Sequence, residues 1–208
     1  MEAMTQTEPK PGKLVLIIGP SGVGKSVILL RLKERHSELH FPRSATTRAR
    51  RPREGNSLYC FTTDDEFDDL IAREKLLEWA YVHGGARYGT LVDEIIPFVQ
   101  DGKIVIREVD VQGFDSIRHH HLFAGANPLF ALQSIFILPE NEEQLIKHIT
   151  KRAPIAKEEL ERRMDSMRTE LAYANLCDRQ IINKEGKIDD TYRQVEGLIF
   201  DETKIPKI

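Results

Sequence analysis

Cysteine is scarce: Cys60 and Cys177 are the only two in 208 residues, far apart, with no CxxC pair and no cysteine–histidine spacing. That scarcity excludes a disulfide framework and a structural zinc, and it fits a reducing compartment. Aromatic residues make up 7 % and tryptophan occurs once, so no stacking platform for single-stranded nucleic acid accompanies the basic residues. The longest apolar run, Leu14 to Ile18, falls far short of the about 20 residues that cross a bilayer. Neither sign of charge dominates. Thirty basic residues against 33 acidic ones leave a net charge of −3, which gives no general footprint for a polyanion, so any anion site must be local. Repeats and low-complexity tracts are also missing. Residues 1–12 are polar, with Pro9 and Pro11 and no apolar h-region, and are expected to be a flexible leader. The expectations are therefore a cytoplasmic protein that binds neither nucleic acid nor membrane. Nothing in the sequence specifies an oligomeric state.

What is present is an ordinary globular composition, 40 % hydrophobic and 30 % charged, in a length that suits one domain, here 13–208. The run Leu14-Val15-Leu16-Ile17-Ile18 is continuously apolar rather than alternating, as a strand covered on both faces requires. Ile104–Ile106, Ser134–Leu138 and Arg179–Ile182 read as further strands of the same kind. Helical patterns lie at 26–36, 93–101, 111–121, 141–151, 157–174 and 189–200. Strands alternating with helices predict an α/β fold with a mostly parallel sheet flanked by helices. Between Ser44 and Val92 the texture changes to short β-like pieces, 58–61 and 76–82, around a helix starting at Asp64 or Asp65. This stretch, 44–92, is expected to be a small inserted mixed α/β subdomain. The charged segment around Pro154, within 151–170, is expected to be a helical lid, leaving 13–43, 93–150 and 171–208 as the core.

Two stretches carry chemistry. Gly19-Pro20-Ser21-Gly22-Val23-Gly24-Lys25-Ser26 satisfies G-x-x-x-x-G-K-[ST] between a strand and a helix, the context of a phosphate-binding loop rather than of a chance glycine-rich turn. Backbone N–H groups of such a loop turn onto phosphates at a helix N-terminus; Lys25 would reach the β- and γ-phosphates and Ser26 would hold Mg²⁺. The second stretch places Arg48, Arg50, Arg51 and Arg53 within six residues, which suits forked capture of a phosphate monoester. Taken alone, that basic run reads equally as a solvated face or a nucleic-acid patch.

Together with Ser44, Thr47, Arg48, Arg51, Glu54 and Tyr59, then Leu77-Glu78-Trp79-Ala80, Tyr88-Gly89-Thr90, Glu108-Val109-Asp110-Val111-Gln112-Gly113, Arg152, Arg163 and Ile182-Asn183, the loop resembles the guanylate kinase family from about Lys13 to Phe200. The resemblance implies a P-loop NTPase-type core and ATP-dependent, Mg²⁺-requiring phosphorylation of GMP, and of dGMP, in purine metabolism. It implies that Gly19, Ser21, Gly22, Val23, Gly24, Lys25, Ser26 and Asn183 bind ATP. Arg48, Arg51, Tyr59 and Tyr88 would hold the acceptor phosphate, and Ser44, Glu78, Thr90 and Asp110 would read guanine. Lys25, Arg48, Arg152 and Arg163 would serve transfer, with Ser26 on the metal and Glu108 and Asp110 reaching it through water. A carboxylate at Glu78 suits guanine, whose N1–H and exocyclic amine are adjacent donors that adenine lacks. Asp110 reads equally as a helix N-cap.

The sequence also departs from the family pattern. The loop from Glu54 to Tyr59 is one residue shorter, Gly84-Gly85 is an insertion, Val27 follows Ser26 where a hydroxyl is common, and His148 replaces an arginine near the lid. Arg107 interrupts an apolar strand where the family has an aliphatic residue, and a buried arginine needs a partner or an exit to solvent. Two other readings stay open: an interaction module that keeps the fold and binds a protein, and a kinase of another phosphorylated acceptor such as a ribose bisphosphate. His119-His120-His121 cannot all reach one ion from a helix. Asn183-Lys184-Glu185-Gly186 is only a fragment of a guanine-reading GTPase motif, because Gly186 stands where the acid belongs.

Overall fold

The computed structural model describes residues 12–81, 85–152 and 156–201; the side chains of His148, Ile149, Lys151, Arg152 and Lys157 lie outside that description. The expected leader falls outside it except for Gly12. In chain order the elements are β1 (Lys13–Ile18), α1 (Lys25–Arg35), β2 (Ser44–Thr46), β3 (Tyr59–Phe61), α2 (Asp64–Ala72), β4 (Leu76–Tyr81), β5 (Arg87–Leu91) and α3 (Ile96–Gln100). They continue with β6 (Ile104–Glu108), α4 (Val111–His119), β7 (Ala131–Pro139), α5 (Glu142–Arg152), α6 (Lys157–Ala172), β8 (Arg179–Asn183) and α7 (Ile188–Phe200).

One sheet, of order β6-β1-β7-β8, is parallel throughout. Every residue of β1 is buried, and its two faces feed two cores. Val15 and Ile17 pack with Ile28, Leu32, Val195 and Ile199 from α1 and α7, whereas Leu14, Leu16 and Ile18 pack with Val99, Phe114 and Ile117 from α3 and α4. A strand buried on both sides has no use for alternation, which explains its uninterrupted apolar run. Each fully buried Leu or Ile contributes about 1.5–3 kcal/mol, so this strand anchors the loop that follows it.

The second sheet, of order β3-β2-β5-β4, is mixed: β2 pairs parallel with β3 and antiparallel with β5, and β4 pairs antiparallel with β5. One face rests on α2 through Ala45, Phe67 and Leu76. Thr63 and Glu66 close a capping box at the start of α2, the sequence pattern T-x-x-E doing what its spacing permits. The buried Arg87 guanidinium lies over the Phe67 ring, pairing with Asp64 at 2.8 Å and also with Asp68. It pins β5 to α2.

One expected element differs. The single helix expected at 93–101 is a 3₁₀ turn, Val92–Glu94, followed by α3. Pro97, in the first turn of α3, has no N–H to continue a helix from upstream but fits a fresh start. The segment between Lys151 and Arg163 is helical from Lys157 onward, since α6 runs unbroken to Ala172; residues 153–155 lie outside the described ones.

The end of α2 yields a stability prediction. Glu74 sits at φ +53, and its N–H reaches Ile71 O at 3.0 Å while Lys75 N–H reaches Leu70 O at 2.9 Å. This is a Schellman closure whose left-handed position favours glycine. Because Glu74 is exposed, Glu74→Gly is expected to stabilise by about 0.5–1 kcal/mol, or about 2 °C in Tm. A lower Tm in a thermal scan would show that the side chain contributes more than its backbone strain costs.

Candidate active site

The loop Gly19–Ser26 leaves the carboxyl end of β1, where open α/β sheets bind ligands. Gly19 has φ +145, and a β-carbon there would lie 2.4 Å from Ile137 O. Gly24, the N-cap of α1, has φ +104. Both positions exclude other residues, and the turn they allow wraps the chain around Lys25. The Lys25 ammonium donates to Gly19 O at 2.5 Å and Pro20 O at 3.1 Å, and stands 3.6 Å from Glu108 Oε1. Burial lowers its pKa, with Glu108 acting in the opposite direction. Ile17 pairs in register with Glu108, so strand pairing brings that carboxylate beside the loop. A cavity of about 350 Å³ opens here, lined by the loop with Lys25 and Ser26 and by Glu108, Asp110 and Glu170.

The second sheet presents the acceptor candidates as one row. Tyr59 pairs with Ser44, Ser44 with Thr90, and Thr90 with Glu78, so four strands aim these side chains to one face. Two residues along, Phe61, Thr46, Tyr88 and Ala80 form the next row on that face. Glu78, its side chain 13 % exposed, accepts a hydrogen bond from Thr90 Oγ1. Burial raises the Glu78 pKa against the opposing effects of Thr90 and the Arg107 charge. Gly113, in the first turn of α4, lies against both acids: a β-carbon there would make ordinary contact with the Glu78 carboxyl carbon at 3.5 Å and with Asp110 at 3.4 Å. This packing sets the acceptor face against the cavity, because Asp110 lines it.

At the other end of the face the basic residues gather. Arg48 donates to both oxygens of Glu54, at 2.7 and 3.1 Å, and to Tyr88 Oη at 3.0 Å, with its guanidinium 5.3 Å from the Tyr59 ring centre. Arg48 holds the Glu54 carboxyl down to about 2. The Tyr59 and Tyr88 rings meet edge-on at 5.8 Å, so the short loop between Glu54 and Tyr59 still delivers Tyr59 to Tyr88 and Arg48. Arg51 is joined through its backbone N–H to Glu54, at 2.9 Å, and its side chain is exposed.

The profile of the family described as "Guanylate kinase" matches residues 11–202. The chain belongs to the guanylate kinase family. A guanylate kinase of Thermosynechococcus vestitus is 38 % identical, the match covering 95 % of this chain and 98 % of the relative. One of Trichormus variabilis is 39 % identical over 95 % and 94 %. Among solved structures, guanylate kinase from Anaplasma phagocytophilum superimposes with a TM-score of 0.65 at 21 % identity, over 94 % of this chain and 88 % of that one, which supports the fold.

Not every expected site residue lines the loop's cavity. Asn183 is buried, its amide donating to Val23 O at 2.8 Å and accepting from Thr191 Oγ1 at 2.8 Å. It braces the loop from below and does not line the cavity. Val23 packs its side chain into the core, leaving only its backbone for the loop. Asp110 caps α4, accepting from Gly113 N–H at 2.8 Å, so its N-cap reading holds while its carboxylate also lines the cavity. Arg163 pairs with Glu159 at 2.9 Å and, with Ser21, lines a second cavity of about 450 Å³ beside the loop. The Arg152 and His148 side chains lie outside the described residues.

Two residues escaped the sequence reading as site members. Glu170 lines both cavities and its pKa is raised by burial, yet its sequence context is a charged helix with no motif. Arg107 was visible only as a misfit in a strand. For a metal, the donor set is a serine hydroxyl with carboxylates beside a lysine, all hard oxygens. Among the described residues no group of three or more His, Cys, Asp or Glu could cage an ion. That set fits Mg²⁺, which keeps its waters and leans on substrate phosphates. Both thiols have raised pKa values through burial, Cys177 to about 12, which makes them poor nucleophiles. No helix of the described residues is long and apolar enough to cross a membrane.

Proposed function

We propose that this chain transfers the γ-phosphoryl group of ATP to GMP, and also to dGMP, giving the nucleoside diphosphate and ADP, in the cytoplasm and within purine nucleotide metabolism. The observation that carries the reading is the proximity of two groups: a phosphate loop with its lysine, and a buried carboxylate, Glu78, close enough to feel the charge of Asp110, which lines the loop's cavity. In this division of labour 44–92 is the acceptor subdomain, 151–170 the lid, and the rest of 13–208 the core. ATP phosphates lie in the Gly19–Ser26 loop, where Lys25 exchanges its bonds to Gly19 and Pro20 for phosphate oxygens. The acceptor phosphate meets Arg48, Arg51, Tyr59 and Tyr88; its oxygen attacks the γ-phosphorus as the bond to ADP breaks. Ser26 would hold Mg²⁺ directly, with Glu108 and Asp110 reaching it through water, and the ion would supply positive charge that offsets the phosphates. Arg163 and Arg152 close over the transferring group and exclude water that would otherwise hydrolyse ATP. Recognition through base and phosphate makes no demand on a 2′-hydroxyl, hence the acceptance of dGMP.

An ADP-release assay with ATP, Mg²⁺ and a panel of GMP, dGMP, AMP, CMP, UMP and ribose phosphates tests this. Turnover confined to GMP and dGMP is expected. Turnover on a ribose phosphate alone would redirect the acceptor site, and binding of ATP without any turnover would return the chain to an interaction role. The intact loop argues against the latter.

A further inference from the structure

Arg107 ends an apolar run, Ile104-Val105-Ile106, on a strand of the parallel sheet. Alternation along β6 sends its side chain to the side of Val105, where Leu77 of β4 also packs. It therefore crosses from the core into the acceptor face. There Nη1 donates to Ser44 Oγ at 2.8 Å, and Nη2 stands 3.9 Å from Glu78 Oε1, beyond hydrogen-bonding range. Nε is buried without a partner, and the whole side chain is 17 % exposed. An arginine so placed loses water without gaining a full set of acceptors, an arrangement that costs stability unless something else supplies them.

The row Ser44, Thr90, Glu78 shows where that acceptor would come from. A carboxylate oxygen and a guanidinium nitrogen stand 3.9 Å apart there, beyond hydrogen-bonding range of one another. Guanine carries the complement on one edge: the N1–H donor lies next to the O6 acceptor, with N7 beyond it. Resting on the reading of Glu78 as guanine recognition, we propose that Arg107 is a second base-recognition residue, donating to O6 of the acceptor guanine while Glu78 accepts from N1–H and the exocyclic amine. Arg107 thus adds a demand that Glu78 alone does not make, since adenine presents an amine where O6 would be. Its bond to Ser44 fixes the guanidinium beside Glu78 before the nucleotide arrives, so little side-chain entropy remains to be lost.

The test compares GMP, IMP and 6-thio-GMP as acceptors for the wild-type chain and for Arg107→Leu, Arg107→Lys and Glu78→Gln, with thermal scans of each. Sulfur at position 6 is a weak acceptor, whereas IMP lacks only the exocyclic amine. In Arg107→Leu the KM for GMP is expected to rise about tenfold, with the loss falling on KM rather than kcat. The wild-type preference for GMP over 6-thio-GMP is expected to vanish in that variant, while the preference for GMP over IMP persists. Arg107→Lys, which keeps a donor, should recover part of the preference. A 6-thio-GMP penalty as large in Arg107→Leu as in the wild type would overturn the proposal, as would equal KM values for GMP. Should Arg107→Leu fail to fold, Arg107→Met, which keeps an unbranched stem without a donor, carries the same comparison. If Glu78→Gln leaves the IMP and AMP preferences untouched, the guanine reading itself falls; an altered Glu78→Gln with an unaltered Arg107→Leu fails only this inference.

Discussion

Lys25→Ala is expected to lower kcat for phosphoryl transfer to GMP by about 10³-fold, about 4 kcal/mol of transition-state stabilisation, with KM for GMP changed by no more than about threefold. The Lys25 ammonium is buried in the turn of the loop and bonded to two loop carbonyls, 2.5 and 3.1 Å away. Those bonds are local and exchangeable: a phosphate oxygen with full negative charge is a better acceptor than either carbonyl. Because burial lowers its pKa, Lys25 is already partly desolvated, and a charge that need not shed water stabilises developing phosphate charge more strongly. Glu108, 3.6 Å away, would lose its counter-charge in the variant. Its side chain is 39 % exposed, so water replaces the lysine and Tm should move by only a few degrees. Steady-state kinetics with purified protein checks this; a kcat within tenfold of wild type would remove Lys25 from the chemistry. An acceptor KM that rose in step with the fall in kcat would mean that the loop had collapsed.

The parallel sheet is legible in the sequence because burial on both faces leaves a signature that survives without context. Leu14–Ile18 has no polar residue, and no structure other than a covered strand or helix core tolerates that. The phosphate loop is legible for a similar reason: Gly19 and Gly24 occupy positions where φ is positive, so local backbone geometry alone demands the residue type. The acceptor sheet is much less so. Ser44–Thr46 and Arg87–Leu91 are its two central strands, yet neither has an apolar run nor a clean alternation. Beside Ala45 and Gly89, their buried members are Ser44, Thr46, Arg87 and Thr90, polar residues with partners distant in sequence, such as Asp64 and Asp68 for Arg87. Polar burial of that kind carries no periodic signal, because what makes it stable is the tertiary neighbour. Arg107 is the extreme case. In sequence it reads as an intrusion into a strand, and only the packing of β4 beside β6 makes it a neighbour of Glu78 and Ser44.

Glu78→Gln is the second change with a large expected effect, and it separates recognition from chemistry. The carboxylate is held by a hydrogen bond from Thr90, the Arg107 guanidinium stands 3.9 Å away, and burial raises its pKa. Glutamine matches its shape and keeps one acceptor for Thr90. The amide's other end is a donor, which would face a donor on guanine. Two charge-assisted bonds thus become at most one neutral bond, and the kcat/KM ratio of GMP over AMP should fall about 10²-fold, or about 2.7 kcal/mol. The loss should appear for GMP alone, since adenine has no adjacent donor pair to lose. Stability should run the other way. A buried carboxylate with a raised pKa is costly to keep ionised, and its group contributes unfavourably at neutral pH, where the unfolded chain ionises it freely. Tm for Glu78→Gln at pH 7 should therefore equal or exceed that of the wild type, even as discrimination is lost. A variant that melts early and loses GMP and AMP turnover together would place Glu78 in the architecture of the sheet rather than in the reading of the base.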